Sequence, residues 1–134
     1  RYIGVTGVQT CALPILTDAE VPVGVRARAY LHANCAQCHR PGGVVNAMLD
    51  LRFGVPLANT GACNQPAQND LGTPGAKILI PGSPDTSTLL LRVASTDRMV
   101  RMPQLSTVIP DGVAVDVLRT WITGLTSCTD PDFN

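Results

Sequence analysis

Cys35-Ala36-Gln37-Cys38-His39 is the stretch on which the reading of this chain turns, and it spells C-x-x-C-H. Two thiols three positions apart on a helical turn can each form a thioether to a vinyl group of one porphyrin. A histidine directly after the second thiol then stands against the iron as its proximal ligand. The motif points to a covalently attached c-type haem, with Cys35 and Cys38 as attachment points and His39 as an axial iron ligand. Its flanks agree. Val23 to Ala33 is rich in Ala and Arg, good helix formers, and Arg40-Pro41-Gly42-Gly43 breaks the chain just after the motif. A lone Met102-Pro103 lies far downstream.

A C-x-x-C pair has two other common uses. A thioredoxin-like redox pair wants a strand before the motif and a βαβ pattern around it, and neither is visible. A zinc site wants a second Cys or His pair at short spacing. Cys63 and Cys128 are solitary and far apart.

The length of 134 residues suggests one domain, and the net charge is zero. No basic stripe argues for nucleic acid, no polybasic tail for anionic lipid, and no apolar run is long enough for a membrane span. Two Phe, two Tyr and one Trp are few rings for a chain of this size. A buried porphyrin would add the flat apolar bulk they lack.

Arg1–Ile15 stands apart. Val5-Thr6-Gly7-Val8-Gln9-Thr10-Cys11-Ala12-Leu13-Pro14-Ile15 is the translation of a common short-read sequencing adapter. Residues 1–15 are therefore expected to be a library artefact, with the domain spanning 16–134. A genuine N-terminal arm, or the end of a signal peptide, is the alternative. On the artefact reading Cys11 leaves the cysteine count and the protein extends further upstream.

Asp18, Glu20 and Pro22 suit a helix entry, followed by a helix from Val23 to about Ala33. Ala27, Leu31, Cys35 and Cys38 share one face of it, with Tyr30 on the neighbouring stripe. A short turn of helix or strand is expected around Met48–Leu51. Leu57 to Gly75 is a long polar loop, and Lys77–Ile80 a brief apolar run. Ser83-Pro84-Asp85 reads as a helix start, with the helix running to about Ala94 and Leu89, Leu90 and Val93 inward. The last helix is expected from about Asp111 to Gly124. Its apolar face is Val113, Val117, Leu118, Trp121, Ile122 and Leu125, at spacings 4, 1, 3, 1 and 3.

From Val21 to about Cys128 the chain resembles a small mono-haem cytochrome c domain. The order is N-terminal helix, Cys35-x-x-Cys38-His39, loop, middle helix, a loop with Met102, and a C-terminal helix bearing Trp121. Tyr30–Cys35, Ile80–Pro84 and Arg101–Pro103 look like the cytochrome domains that end larger secreted bacterial proteins, several of which are fused to dehydrogenases. The resemblance implies an all-α fold of three to five helices around a covalently held haem c, with long loops and the first and last helices crossed. It implies a one-electron carrier, not an enzyme, that works in the periplasm or outside the cell with a redox partner protein or a fused upstream domain. The long loop bearing Cys63 departs from a minimal member.

The resemblance also implies a distal ligand between the middle and last helices, where Met102 stands in a Pro-flanked segment. A thioether suits an iron that exchanges electrons with little rearrangement. Met99 and Met48 are its competitors, and an ordinary core methionine is the plain alternative. His32 reads as a half-exposed helix residue. Arg52, Arg92, Arg98 and Arg101 are candidate partners of the haem propionates, with Arg98 and Arg101 slightly preferred. Maturation outside the cytoplasm would expose Cys63 and Cys128 to an oxidising compartment, where a disulfide would pin the long loop to the end of the last helix. Two free buried thiols are the alternative. Other readings of the whole remain: a haem enzyme or gas sensor with an open distal face, or a metal-free interaction module.

Overall fold

Helices form where the runs of good helix formers lie. The computed structural model describes residues 13–45, 48–105 and 109–133. Most of the segment read as an artefact falls outside them. The first helix, α1 (Leu13–Thr17), straddles the expected boundary after Ile15, and Leu16 is 1% exposed against the core. The second, α2 (Val23–Cys35), starts after an extended Pro22 and runs two residues beyond Ala33, into the motif. Pro22 thus occupies the capping position and not the first turn.

The third helix, α3 (Thr88–Ala94), begins later than the Ser83-Pro84-Asp85 signal predicts. Pro84–Thr86 forms a separate 3₁₀ turn, and the Ser83 side chain caps nothing. The reason lies at Ser87. Its hydroxyl accepts from the Ile80 N–H at 2.9 Å and donates to the Ser83 carbonyl at 2.8 Å, which folds the turn back on itself. Ser87 is itself extended, with φ −97° and ψ 107°, so the helix starts only after it. Leu90 and Val93 are buried, and Leu89 is half-buried.

The last helix, α4 (Gly112–Gly124), lies where expected, and Asp111 caps it: its carboxylate accepts from the Ala114 N–H at 3.1 Å. Val117, Leu118, Trp121, Ile122 and Leu125 are buried, but Val113 is 46% exposed. The inward position of the first turn belongs to Ala114, which is fully buried. Val113 lies about 100° around the helix from it.

The helix α4 packs against α2, α3 and α1, and their apolar faces make one core. Among the described residues there are no strands, so the fold is all-α. No turn of helix or strand forms around Met48–Leu51. Leu51 instead buries its side chain from an extended segment. The long polar loop is held by other means. A 3₁₀ turn covers Leu57–Asn59, isolated bridges join Cys63 to Leu79 and Pro66 to Lys77, and a disulfide links Cys63 to Cys128. The bridge closes a segment with a sequence separation of 65. By the chain-entropy relation that stabilises the fold by roughly 4 kcal/mol.

The C-terminal segment closes the other side. Asp130 is 4% exposed and accepts from the Trp121 indole N–H at 2.9 Å. The Asp132 carboxylate accepts from the Gly24 N–H at 2.6 Å, an approach so close that a Cβ at Gly24 would lie 2.6 Å from that oxygen. Arg28, 1% exposed, sits beneath this segment. It donates to the Arg52 and Val55 carbonyls and lies 5.3 Å from the Phe133 ring centre. Burial lowers its pKa, while the Asp130 and Asp50 carboxylates oppose that effect.

Two outcomes follow. Deleting residues 1–12 is expected to leave the melting temperature unchanged, whereas Leu16→Ala should cost ~2–4 kcal/mol in urea unfolding. Asp130→Ala removes the acceptor of Trp121 and a counter-charge of a buried guanidinium, and should cost ~2–4 kcal/mol by the same measurement.

Candidate functional site

The C-x-x-C-H motif begins where α2 ends. Cys35 is the last helical residue and is buried; Ala36, still in the αR region, continues the turn. The N–H groups of Cys38 and His39 both donate to the Cys35 carbonyl, at 3.1 and 2.8 Å. The two cysteines and the histidine therefore ride on one tightening turn. It is tied back to the chain by the Leu51 N–H, which donates to the His39 carbonyl at 3.0 Å. Gly43 completes the reversal, since a Cβ there would stand 2.2 Å from the Cys38 carbonyl oxygen. Gly43 is thus a steric requirement of the motif's own turn, and Gly42 before it takes a left-handed φ of 73°.

Both motif thiols are free, Cys35 buried and Cys38 half-buried. Burial, and secondarily the neighbouring Cys38, pushes the Cys35 thiol up to about 12. A redox nucleophile of the thioredoxin kind needs the opposite, a depressed and accessible thiolate. His39 is half-buried. Its Nδ1 is enclosed without a hydrogen-bond partner, and burial together with the Arg92 charge holds the imidazole below its ordinary pKa. A neutral imidazole is the form that binds a metal. His32 lies exposed and accepts from the Phe53 N–H at 3.1 Å.

Met102 lies in the segment after α3. Its N–H donates to the Arg92 carbonyl at 3.0 Å, and the Arg92 guanidinium donates to the Val100 carbonyl at 2.9 Å. Arg92 thus holds the Met102 segment, and its charge also acts on the His39 imidazole. Met102 is half-buried, whereas Met99 is 84% and Met48 97% exposed.

The other arginines separate by partner. Arg52 is engaged with Asp50, Nη2 to Oδ2 at 2.6 Å and Nε to Oδ1 at 2.8 Å. That contact holds the Asp50 carboxyl below the usual range. Arg98 is exposed, and Arg101 keeps a buried Nε without a partner. Sequence reasoning did not foresee the linking role of Arg92, because nothing local distinguishes it from any arginine near a helix end.

The donor set fits a c-type haem. Two thiols and an imidazole are gathered on one turn, and a half-buried thioether is held on the segment bound to the end of α3. Exposed apolar side chains flank both: Val44, Val45 and Met48 after the motif, and Met99, Leu105 and Ile109 around the Met102 segment. Among the described residues no three His, Cys, Asp or Glu side chains group to hold a metal ion. An open cleft of about 100 Å³ lies elsewhere, between the Pro56–Ala58 turn and the C-terminal segment, and its Asp130 and Cys128 are already bonded.

Compared with protein-family models, with curated proteins and with solved structures, the chain matches none. The chemistry of the site is therefore read from its own residues, and thiol reactivity is a direct measure of it. In the haem-free chain at pH 8, Cys38 should react with iodoacetamide while Cys35, buried and with its thiol pushed up, stays unlabelled until the chain unfolds. Cys63 and Cys128 should label only after reduction. Mass spectrometry of the peptides checks this.

Proposed function

We propose that this chain is a mono-haem cytochrome c domain that carries single electrons. The observation that carries the proposal is the turn at the end of α2, where two free thiols and an imidazole occur in the order and spacing of covalent haem attachment. Each thiol would add its S–H across one vinyl group, leaving a thioether at Cys35 and another at Cys38. The haem, when bound, supplies the one-electron couple of its iron.

The protein's own part is to hold that group in place and shield it. The short motif turn, tied to Leu51, orients His39 relative to its two cysteines. Met102 is the sixth ligand in this reading, supported by its partial burial and by the two hydrogen bonds that hold its segment to α3. With an imidazole on one side and a thioether on the other, no coordination position is left for a substrate. The domain would then be a carrier, passing electrons to a redox partner protein or to a fused upstream domain. The Cys63–Cys128 disulfide supports a site of action in an oxidising compartment, the periplasm or beyond.

Expression with a cytochrome c maturation system tests the attachment. Acid–acetone extraction should leave the colour on the protein, and replacing Cys35 and Cys38 together by Ala should release it. Pigment that extracts freely from the unmodified chain would refute the proposal.

Met102→Ala should abolish the weak thioether-to-iron charge-transfer band of the oxidised protein, lower the midpoint potential and open the reduced iron to carbon monoxide. Met99→Ala should do none of these. If the unmodified protein binds carbon monoxide at rest, the distal face is open and the sensor or enzyme reading takes the place of the carrier.

A further inference from the structure

We infer that Arg92 is the positioning residue for the sixth ligand: it grips the Met102 segment from both sides of Arg101, and the thioether's hold on iron depends on that grip. The inference rests on the haem reading above and adds to it a residue that acts through Met102.

Arg92 belongs to the last turn of α3, a helix seated on α4 through Leu90 and Val93, both buried. A carbonyl in a last turn has no partner within the helix and must find one outside. That of Arg92 accepts from the Met102 N–H at 3.0 Å, and from the Ser95 N–H at 3.3 Å. Its side chain turns the same way, and the guanidinium donates to the Val100 carbonyl at 2.9 Å. One residue therefore holds positions 100 and 102 at once. Two bonds to alternate residues fix rotation of the segment as well as its distance from the helix.

The rest of the segment offers less. Val100 and Arg101 donate to the Asp97 carbonyl, but Asp97 is part of the same excursion and moves with it. Met99 and Leu105, on either side, are 84% and 82% exposed, so apolar packing does not seat their side chains. The Arg92 bonds tie the ligand's own backbone to a helix of the core. One of them has a cationic donor, which makes it stronger than a neutral bond.

The test compares the haem-loaded protein with Arg92→Gln, Arg92→Lys and a control, Arg119→Gln. Arg119 is exposed and pairs with Asp85 away from this segment. In Arg92→Gln the charge-transfer band should weaken or vanish and the midpoint potential should fall. Carbon monoxide affinity of the reduced protein should rise about tenfold, the loss of roughly one charge-assisted hydrogen bond. Hydrogen exchange at the Met102 amide should quicken while the α4 amides stay as they were.

Arg92→Lys keeps the charge and a single donor, and should fall between the two; it decides the matter alone if the Gln variant does not fold. Arg119→Gln should match the parent. A parent protein without covalent haem would overturn both the haem reading and this inference. A parent with a normal band, alongside Arg92 variants with unchanged band, potential and carbon monoxide affinity, would overturn the role of Arg92 alone.

Discussion

The contact between α2 and α4 positions almost everything else. At one end of α2 stands Cys35, and ahead of α4 runs the segment that carries Met102. Ala27 on α2 and Ala114 on α4 are both fully buried in the core that these helices share. Leu31, Leu118 and Ile122 belong to the same core. A larger side chain at either alanine would overpack it. Such overpacking typically destabilises by ~1–3 kcal/mol even where the backbone adjusts.

The same contact is locked from outside by the C-terminal segment. Asp130 accepts a hydrogen bond from the indole N–H of Trp121 on α4, and Asp132 accepts one from the first-turn amide of Gly24 on α2. One short stretch therefore reaches both helices. Beneath it the buried Arg28 binds carbonyls of the 52–55 segment, the continuation of the chain that anchors His39 through Leu51. Helix crossing, tail and motif turn form one connected arrangement. The region with least helix, from the motif to α3, is held by the Cys63–Cys128 bridge and a few isolated backbone bridges, together with Leu51, Leu57 and Leu79, which join the core.

How far this was legible in the sequence depends on how local each signal is. The helix α4 was legible because Asp111 caps it and its apolar spacing repeats without interruption. The motif turn was legible because five adjacent residues contain it. The start of α3 was misread: Ser83-Pro84-Asp85 is a good local signal, but the Ser87 hydroxyl satisfies the turn instead. Val113 was misplaced for a similar reason, as periodicity defines a stripe but not where its first turn meets a neighbour. Arg28 gave no signal at all. An arginine within an Ala-rich helix reads as a solvated charge, and only the tail that folds over it a hundred residues later makes it buried.

The two sides of the proposed iron site are held by different kinds of structure. The proximal side is local. His39 follows Cys38 directly, and the bonds that set its turn come from Cys35 and Leu51. If thioethers form as proposed, that geometry becomes nearly covalent and would survive loosening of the rest of the fold. The distal side is tertiary. In the proposed reading Met102 would reach its place through the seating of α3 on α4 and the bonds of Arg92 to the 100–102 segment. Loss of packing would thus act first on the thioether and leave the imidazole bound. Under the proposed reading, a domain built this way would lie one loop rearrangement from an open distal face, and its role as a carrier would rest on the anchoring of a single short segment to the end of α3.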